Sequence, residues 1–430
     1  MYRRRYMSLF QEEGPKRTCS YRWLLVFAAA FLVMTLSFVA PVQAIAASED
    51  FVLLADTHLG QPFKPSYKET RDALYWASEF DNLKAVCVAG DLTDRGSPVS
   101  YSEWEYLCDS ILDGAAHIQA LGDHDTGKNG AYLEAGRSLT AAHGYKYFKQ
   151  INGGSATSFT QFETANVMTI GGVRARGYHV ITNSMLKQLN KRLLKTARQG
   201  KMAIVVCHYP YYDGALNMRL KLMSILRSYP NVIYVSGHKH RYSTKRQCQQ
   251  VKPSCGQTPY TRSGFSAKTQ YAFRSIGVDA CSAYRAGNGI SYADLLSISS
   301  NGRLTLKKWN LTKDRVERKW AFRQTKSSVT VKSVPTTDGY PKDTAVEYRI
   351  VFSDGKAYGG VKSGDSFTLK VGKAKKFSGI PAGVLVTVKQ VSTPKGWTTP
   401  KAKNVEVGKS ARMINMKTGH SSSKLRAASL

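Results

Sequence analysis

The sequence predicts an α/β layered domain followed by a small all-β sandwich, and three observations carry that expectation. Five short apolar runs each end abruptly in Asp or His. The stretches between them space their apolar residues by three and four, as surface helices do. Beyond residue 327 the pattern is wholly that of strands, broken by Gly and Pro turns. A chain of 430 residues with 42% hydrophobic content has room for two or three packed domains, which excludes disorder as its general state.

The amino terminus comes first. Residues 1–22 are polar and basic, Trp23 to Ala40 is an apolar run, and Pro41-Val42-Gln43-Ala44 supplies small residues. That is the order of a secretory signal, with cleavage expected after Ala44. The run is nearly long enough to span a bilayer, so an uncleaved anchor is the alternative. Both place the remainder outside the cytoplasm, secreted or held at the cell wall or membrane. Cys248 and Cys255 flank a short polar loop and are the expected disulfide in such a compartment, while Cys87 and Cys207 sit inside apolar runs as small hydrophobes. The 62 basic residues outnumber the 30 acidic ones by 32. A field of that sign concentrates polyanions such as phosphate-bearing wall polymers or nucleic acid, although solvated lysines that keep a protein soluble have the same composition.

The first domain is expected over 45–312. Phe51 to Ala55 leads into Asp56-Thr57-His58, and Ala85 to Ala89 leads into Gly90-Asp91-Leu-Thr-Asp94-Arg95-Gly96. His117 to Leu121 leads into Gly122-Asp123-His124-Asp125, Met202 to Cys207 into His208, and Val232 to Val235 into Gly237-His238-Lys239-His240. These are strands of the type buried on both faces, delivering polar residues at one sheet edge, their carboxyl ends. Residues i and i+2 of a strand share a side, so Asp56 and His58 are expected to aim at one point. Helices are expected over Tyr67 to Phe80, Ser100 to Leu112, Ser184 to Arg198 and Ala215 to Ser228, with Gly200 closing the third. Two strands around Asn301-Gly302 read as a closing hairpin, 313–326 as a polar linker, 327–418 as an antiparallel sandwich and 419–430 as a disordered tail.

The chemistry lies in Asp56, His58, Asp91, Asp123, His208, His238 and His240, with His124 and Asp125 beside them. Imidazole and carboxylate without thiolate suit Mn, Fe or Zn. Seven ligands are too many for one ion. They suit two ions about 4 Å apart, which clamp a phosphoryl group and activate a water. Asp94 reads instead as a helix N-cap. Tyr209, Tyr211 and Tyr212 are either a stacking wall for a base or sugar or ordinary loop aromatics.

These five blocks, in this order, resemble the calcineurin-like metallophosphoesterase superfamily over about residues 50 to 312. The resemblance implies a layered α/β sandwich with two divalent or trivalent metal ions and a phosphate ester substrate. It implies that Asp56, His58 and His240 hold the first metal, that Asp91 bridges, and that Asp123, His208 and His238 hold the second. It places His124 near the leaving group with Asp125 orienting it, and makes Arg95 a phosphate contact. The wording Gly-Asp-Leu-Thr-Asp is closer to the nucleotide and phosphodiester branch. One departure is Asp123, which stands where the family usually has Asn; its extra charge strengthens the hold on metal and weakens the pull on an anion. The chain after residue 327 resembles the collagen-adhesin B-type repeats of bacterial surface proteins through Phe377-Ser-Gly-Ile-Pro-Ala-Gly383, Pro394-Lys-Gly-Trp397 and Asn415. Some such repeats join a Lys to an Asn with the help of an acid. Here Lys332 and Asn415 take the reacting places, but Gln390 stands for the acid, so no bond is expected.

Overall fold

The structure is a computed structural model that describes residues 48–60, 65–126, 132–134, 137–139, 141–171, 181–213, 216–241, 248–250, 273–335, 344–393 and 395–417. The signal segment, the 419–430 tail and Cys255 lie outside the described residues. Among the described residues, no helix is long and apolar enough to cross a membrane.

The strands and helices alternate as the periodicity predicts. In chain order they run β1 (Ser48–Leu54), α1 (Ser66–Ser78), β2 (Leu83–Val88), α2 (Pro98–Ile111), β3 (Ala116–Gln119), β4 (Tyr132–Glu134), β5 (Arg137–Leu139), α3 (Ala141–Ile151), β6 (Phe159–Gln161) and β7 (Ala165–Thr169). Then come α4 (Asn183–Arg198), β8 (Met202–Val206), α5 (Leu216–Arg227), β9 (Val232–Ser236), β10 (Cys248–Gln250), β11 (Arg274–Gly277), α6 (Ala283–Ala286), β12 (Tyr292–Ser299), β13 (Arg303–Asn310) and β14 (Arg315–Arg323). Helix α4 shows how locally this is written. The Thr182 hydroxyl accepts from the Met185 amide at 3.2 Å, Leu186, Leu189, Leu193 and Ala197 are buried along one stripe, and Gly200 leaves the helix at φ +66°. Each buried leucine contributes about 1.5–3 kcal/mol.

The five metal-type strands do not share one sheet edge, which corrects the sequence reading. They divide between two six-stranded sheets, β14-β13-β12-β1-β2-β3 and β10-β11-β9-β8-β7-β6. The strands β1, β2 and β3 are parallel, as are β7, β8, β9 and β11. Alternation along β1 explains the layering. Phe51, Leu53 and Ala55 face the core between the sheets, whereas Val52 and Leu54 join a second core under α1 and α2. A third core lies between the other sheet and α4 and α5. The result is a four-layer α/β sandwich whose two parallel sets both end at one pole.

The expected linker at 313–326 is also corrected. Most of it is β14, an edge strand paired antiparallel with β13. Its charges mark the solvent side of an edge, while Trp320 and Phe322 pack on the inter-sheet core. The first domain therefore extends past residue 312, and only Gln324 and Thr325 separate it from the all-β domain.

That domain comprises β15 (Lys326–Pro335), β16 (Ala345–Phe352), β17 (Ser366–Lys370), β18 (Ala374–Pro381), β19 (Leu385–Gln390), β20 (Trp397–Thr398), β21 (Lys403–Glu406) and β22 (Ser410–Lys417). Its sheets, β18-β15-β22-β20 and β17-β16-β19-β21, enclose Val331, Tyr348, Phe352, Phe377, Val386 and Met413. It is not wholly antiparallel, because β15 and β22 run parallel. Lys332 is exposed opposite Arg412, and Gln390 is buried, donating to Ser392 O and Thr393 Oγ1. The joint to the first domain is tightly made. Asn231, just before β9, exchanges bonds with Thr325 (2.7 and 3.2 Å), Gln324 donates to Gly200 O (2.7 Å), and Ser353 donates to Arg198 O (2.7 Å).

Candidate metal centre

The site is built from the loops that leave β1, β2, β3, β8 and β9 at their carboxyl ends. Strand β1 stops at Leu54, so Asp56 and His58 do not converge through strand alternation as the spacing suggests. They converge because both turn into the left-handed region, at φ +52° and +49°. Asp91, His238 and His240 do the same at +49°, +70° and +55°. Side chains other than glycine rarely adopt this conformation, and strain of this kind collects at functional sites.

Backbone bonds over-determine these turns. Asp56 N donates to Gly90 O (3.1 Å), His58 N to Asp91 O (3.0 Å), Cys281 N to Ala55 O (2.8 Å) and Ala280 N to His240 O (2.8 Å). The glycines of the two Gly-Asp blocks permit close approach. A Cβ on Gly90, at φ +77°, would stand 2.4 Å from His208 Cβ, and one on Gly122 would stand 2.2 Å from the Asp91 amide nitrogen.

Asp56, His58, Asp91 and His240 offer ligand atoms within 4.8 Å of one another, and so do Asp123, His208 and His238. Asp91 stands between the sets. Its Oδ1 accepts the His124 amide at 2.9 Å, while Oδ2 lies 3.8 Å from His58 Nε2 and 3.2 Å from His208 Nε2. His208 Nε2 is also 3.2 Å from Asp123 Oδ1, and its Nδ1 lies 2.9 Å from Ala89 O. That carbonyl takes the Nδ1 proton and leaves Nε2 for a ligand bond.

The donor set fits divalent metal. Among the described residues, buried His58 Nε2 has no hydrogen-bond partner and Nδ1 only the Asp94 carboxylate at 3.3 Å, and no thiol is among the donors. Without metal, burial pushes the Asp56 carboxyl up, whereas Asp91, despite its burial, is held well below the usual range by His208 and His58. His208 rises well above its usual value against burial, driven by Asp91 and Asp123. The His208 proton thus stands in for part of the positive charge that metal would bring, and metal would displace it.

Asp94 is the residue that sequence reasoning misplaced. The N-cap of α2 is Ser97, whose hydroxyl accepts from the Ser100 amide at 3.2 Å. Asp94 Oδ1 instead lies 3.3 Å from His58 Nδ1 and 3.4 Å from His124 Nδ1, and receives Arg285 Nη2. His124 Nδ1 also lies 2.8 Å from the Asp94 carbonyl. Burial opposes charge on His124, but Asp94 outweighs it and raises the imidazole to about 9. Asp125, expected to orient His124, points elsewhere. Its Oδ1 accepts from Thr93 N and Oδ2 from Gly122 N, both at 2.8 Å, so it staples two site loops together. Arg95 lies 3.6 Å from the far oxygen of Asp94 with its side chain 39% exposed. Of the three tyrosines, Tyr209 flanks His238 with ring centroids 4.6 Å apart, whereas Tyr211 is buried against Phe273 and Tyr234. No motif flags Arg285, which lies in a Gly/Ser-rich stretch.

The family model of the calcineurin-like phosphoesterases matches residues 50–242. No curated protein sequence matches the chain. Among solved structures, the chain is similar to purple acid phosphatase PPD1 from yellow lupin, at 12% identity and TM-score 0.42, covering 65% of this chain and 54% of that one. The chain therefore spans about half the length of that protein. It is also similar to a phosphatase of Mycoplasma pneumoniae (14% identity, TM-score 0.31, 65% of this chain, 94% of that one). A third likeness is to the shaft pilin SpaA of Lactobacillus rhamnosus GG (12% identity, TM-score 0.18, 30% of this chain, 66% of that one). The match to the calcineurin-like phosphoesterase model thus falls within the α/β part of the chain, and the all-β domain that follows lies outside it.

Proposed function

We propose that this protein is a secreted phosphodiesterase that uses two metal ions. The observation that carries the reading is Asp91 Oδ2 standing between His58 Nε2 and His208 Nε2, at 3.8 and 3.2 Å, so that one carboxylate oxygen serves both ligand sets. Asp56, His58 and His240 would hold one ion, Asp123, His208 and His238 the other, with Asp91 shared. Metal bound there would acidify a water and neutralise charge developing on phosphoryl oxygens. Asp123, in place of the family's Asn, keeps Oδ1 on His208 Nε2 and so remains a usable ligand.

The chain's own residues supply the rest. His124, protonated at neutral pH and tied through Nδ1 to Asp94, is the donor of a proton to the leaving oxygen. Asp94 fixes its ring orientation. The Tyr209 ring beside His238 offers an apolar wall to an organic substituent on the phosphate. Two substituents distinguish a diester from a monoester, and the Gly-Asp-Leu-Thr-Asp wording supports the diester. The order of the first 44 residues supports export.

The test is hydrolysis of bis-p-nitrophenyl phosphate by the purified protein with Mn²⁺, beside His124→Ala and a chelator control. Turnover that needs both metal and His124 is expected. Turnover confined to p-nitrophenyl phosphate would move the assignment to a monoesterase or nucleotidase. No turnover with metal bound would leave a silenced, polyanion-binding surface protein.

A further inference from the structure

We propose that Arg285, rather than Arg95, is the cation that holds the substrate phosphate beside the metal centre, positioned for it by Asp94. This rests on the phosphoesterase reading and names a residue outside the segment that the family model matches.

Arg285 is delivered by a tightly fixed turn. Cys281 N donates to Ala55 O (2.8 Å), Ala283 N to Glu69 Oε2 (3.1 Å), and Ala286 N to Ser282 O (3.0 Å). The turn is thus stitched to the loop that carries Asp56 and to α1. From it Arg285 reaches the centre and donates Nη2 to Asp94 Oδ1, the oxygen that also faces His58 Nδ1 and His124 Nδ1. The guanidinium therefore shares one oxygen with an imidazole of the metal set and with the proposed proton donor.

The guanidinium is incompletely satisfied. Its Nε is buried and has no hydrogen-bond partner among the described residues, while the side chain as a whole is 21% exposed. A buried donor without an acceptor is costly, so the guanidinium gains from a further acceptor brought to it. The planar fork matches two oxygens of a phosphate better than an ammonium does. Asp94 withdraws one arm and fixes the plane, leaving the other donors for a ligand. Arg95 is tied to the opposite oxygen of the same carboxylate and is nearly twice as exposed. The centre also concentrates the carboxylates of Asp56, Asp91, Asp94 and Asp123, so a fixed cation at its rim offsets repulsion of an anionic substrate.

The experiment uses the full metal-loaded protein and inorganic phosphate as the probe, followed by calorimetry and by competition against bis-p-nitrophenyl phosphate. Arg285→Gln is expected to weaken phosphate binding by roughly 10- to 100-fold, the range for a lost charged hydrogen bond, and to raise KM more than it lowers kcat. Metal content by mass spectrometry is expected to match wild type. Arg285→Lys is expected to recover part of the affinity, as a point charge without the fork. Arg95→Gln is expected to lose less than Arg285→Gln. Phosphate binding by Arg285→Gln within twofold of wild type, a larger loss in Arg95→Gln, or loss of metal from Arg285→Gln would each overturn the assignment. If wild type binds phosphate and Arg285→Gln binds it equally, the role of Arg285 alone fails. If metal-loaded wild type binds no phosphate, the phosphoesterase reading fails and takes this assignment with it.

Discussion

The Asp94 carboxylate lies 3.4 Å from His124 Nδ1, and the Asp94 carbonyl lies 2.8 Å from the same nitrogen. Asp94 thus orients the imidazole and, together with the charges of Asp91 and Asp123, raises it against its burial to about 9 in the metal-free centre. The proton is present through neutral pH and is lost as pH rises through that value. Metal would neutralise Asp91 and Asp123 but not the Asp94 contact, so a kcat profile in the metal-loaded enzyme is expected to fall on its alkaline side, above the ordinary imidazole value. In Asp94→Asn the fall is expected to begin nearer the ordinary imidazole value of about 6.5, with kcat lowered by about 10²-fold. An unchanged limb in that variant would remove His124 as the proton donor.

Asp125 is expected to matter for stability. Asp125→Ala leaves the Thr93 and Gly122 amides without their acceptor inside the fold. At about 1–3 kcal/mol for each such group, urea unfolding should show a loss of several kcal/mol. A variant as stable as wild type yet inactive would return Asp125 to the chemistry.

Metal should stabilise the fold, because its ligands come from loops of both sheets. Adding Mn²⁺ to stripped protein at 100 times its Kd is expected to contribute about 2.7 kcal/mol, visible as a rise in melting temperature that a chelator reverses. No shift on saturation would mean that the two sets do not hold metal.

Gly90→Ala combines a left-handed backbone with a Cβ 2.4 Å from that of His208. It is expected to abolish metal uptake or the native fold, as metal content and circular dichroism would reveal. Gly153→Ala, also left-handed but with open space around it, serves as the comparison, and its melting temperature is expected to fall far less.

The thiols of Cys87 and Cys281 are fully buried and pushed up to about 12 by that burial. They carry no thiolate at pH 8, so alkylation by iodoacetamide should wait for denaturant. Labelling of either cysteine in the native protein would contradict the packing of the sheets.

The sequence made much of this centre visible because each ligand follows a short buried strand, where an unbroken apolar run stops at a polar residue. Asp56, Asp91, Asp123, His208 and His240 stand out for that reason. What it hid depends on contacts distant in the chain. Whether β1 and β8 share a sheet is decided by pairing, to which buried-strand patterns are indifferent. Strand β14 reads as linker because an edge strand spends one face and one side on solvent, leaving Trp320 and Phe322 as its inward signal. Asp94 reads as a cap because Asp before a helix commonly is one, and only contacts in space, the Ser97 bond and those of Asp94 to His58, His124 and Arg285, show otherwise. Arg285 gave no local signal at all, since its meaning lies in a carboxylate 191 residues away.

The joint at Asn231 and Gly200 lies where β9 and β8 begin, while the metal-type side chains lie where those strands finish. Any support that grips the all-β domain would consequently hold the reaction centre aimed outward, at a height set by two folded bodies with only Gln324 and Thr325 between them. A centre held in that way would stand rather than reach, and lengthening the connection at 324–325 would trade that fixed stance for range.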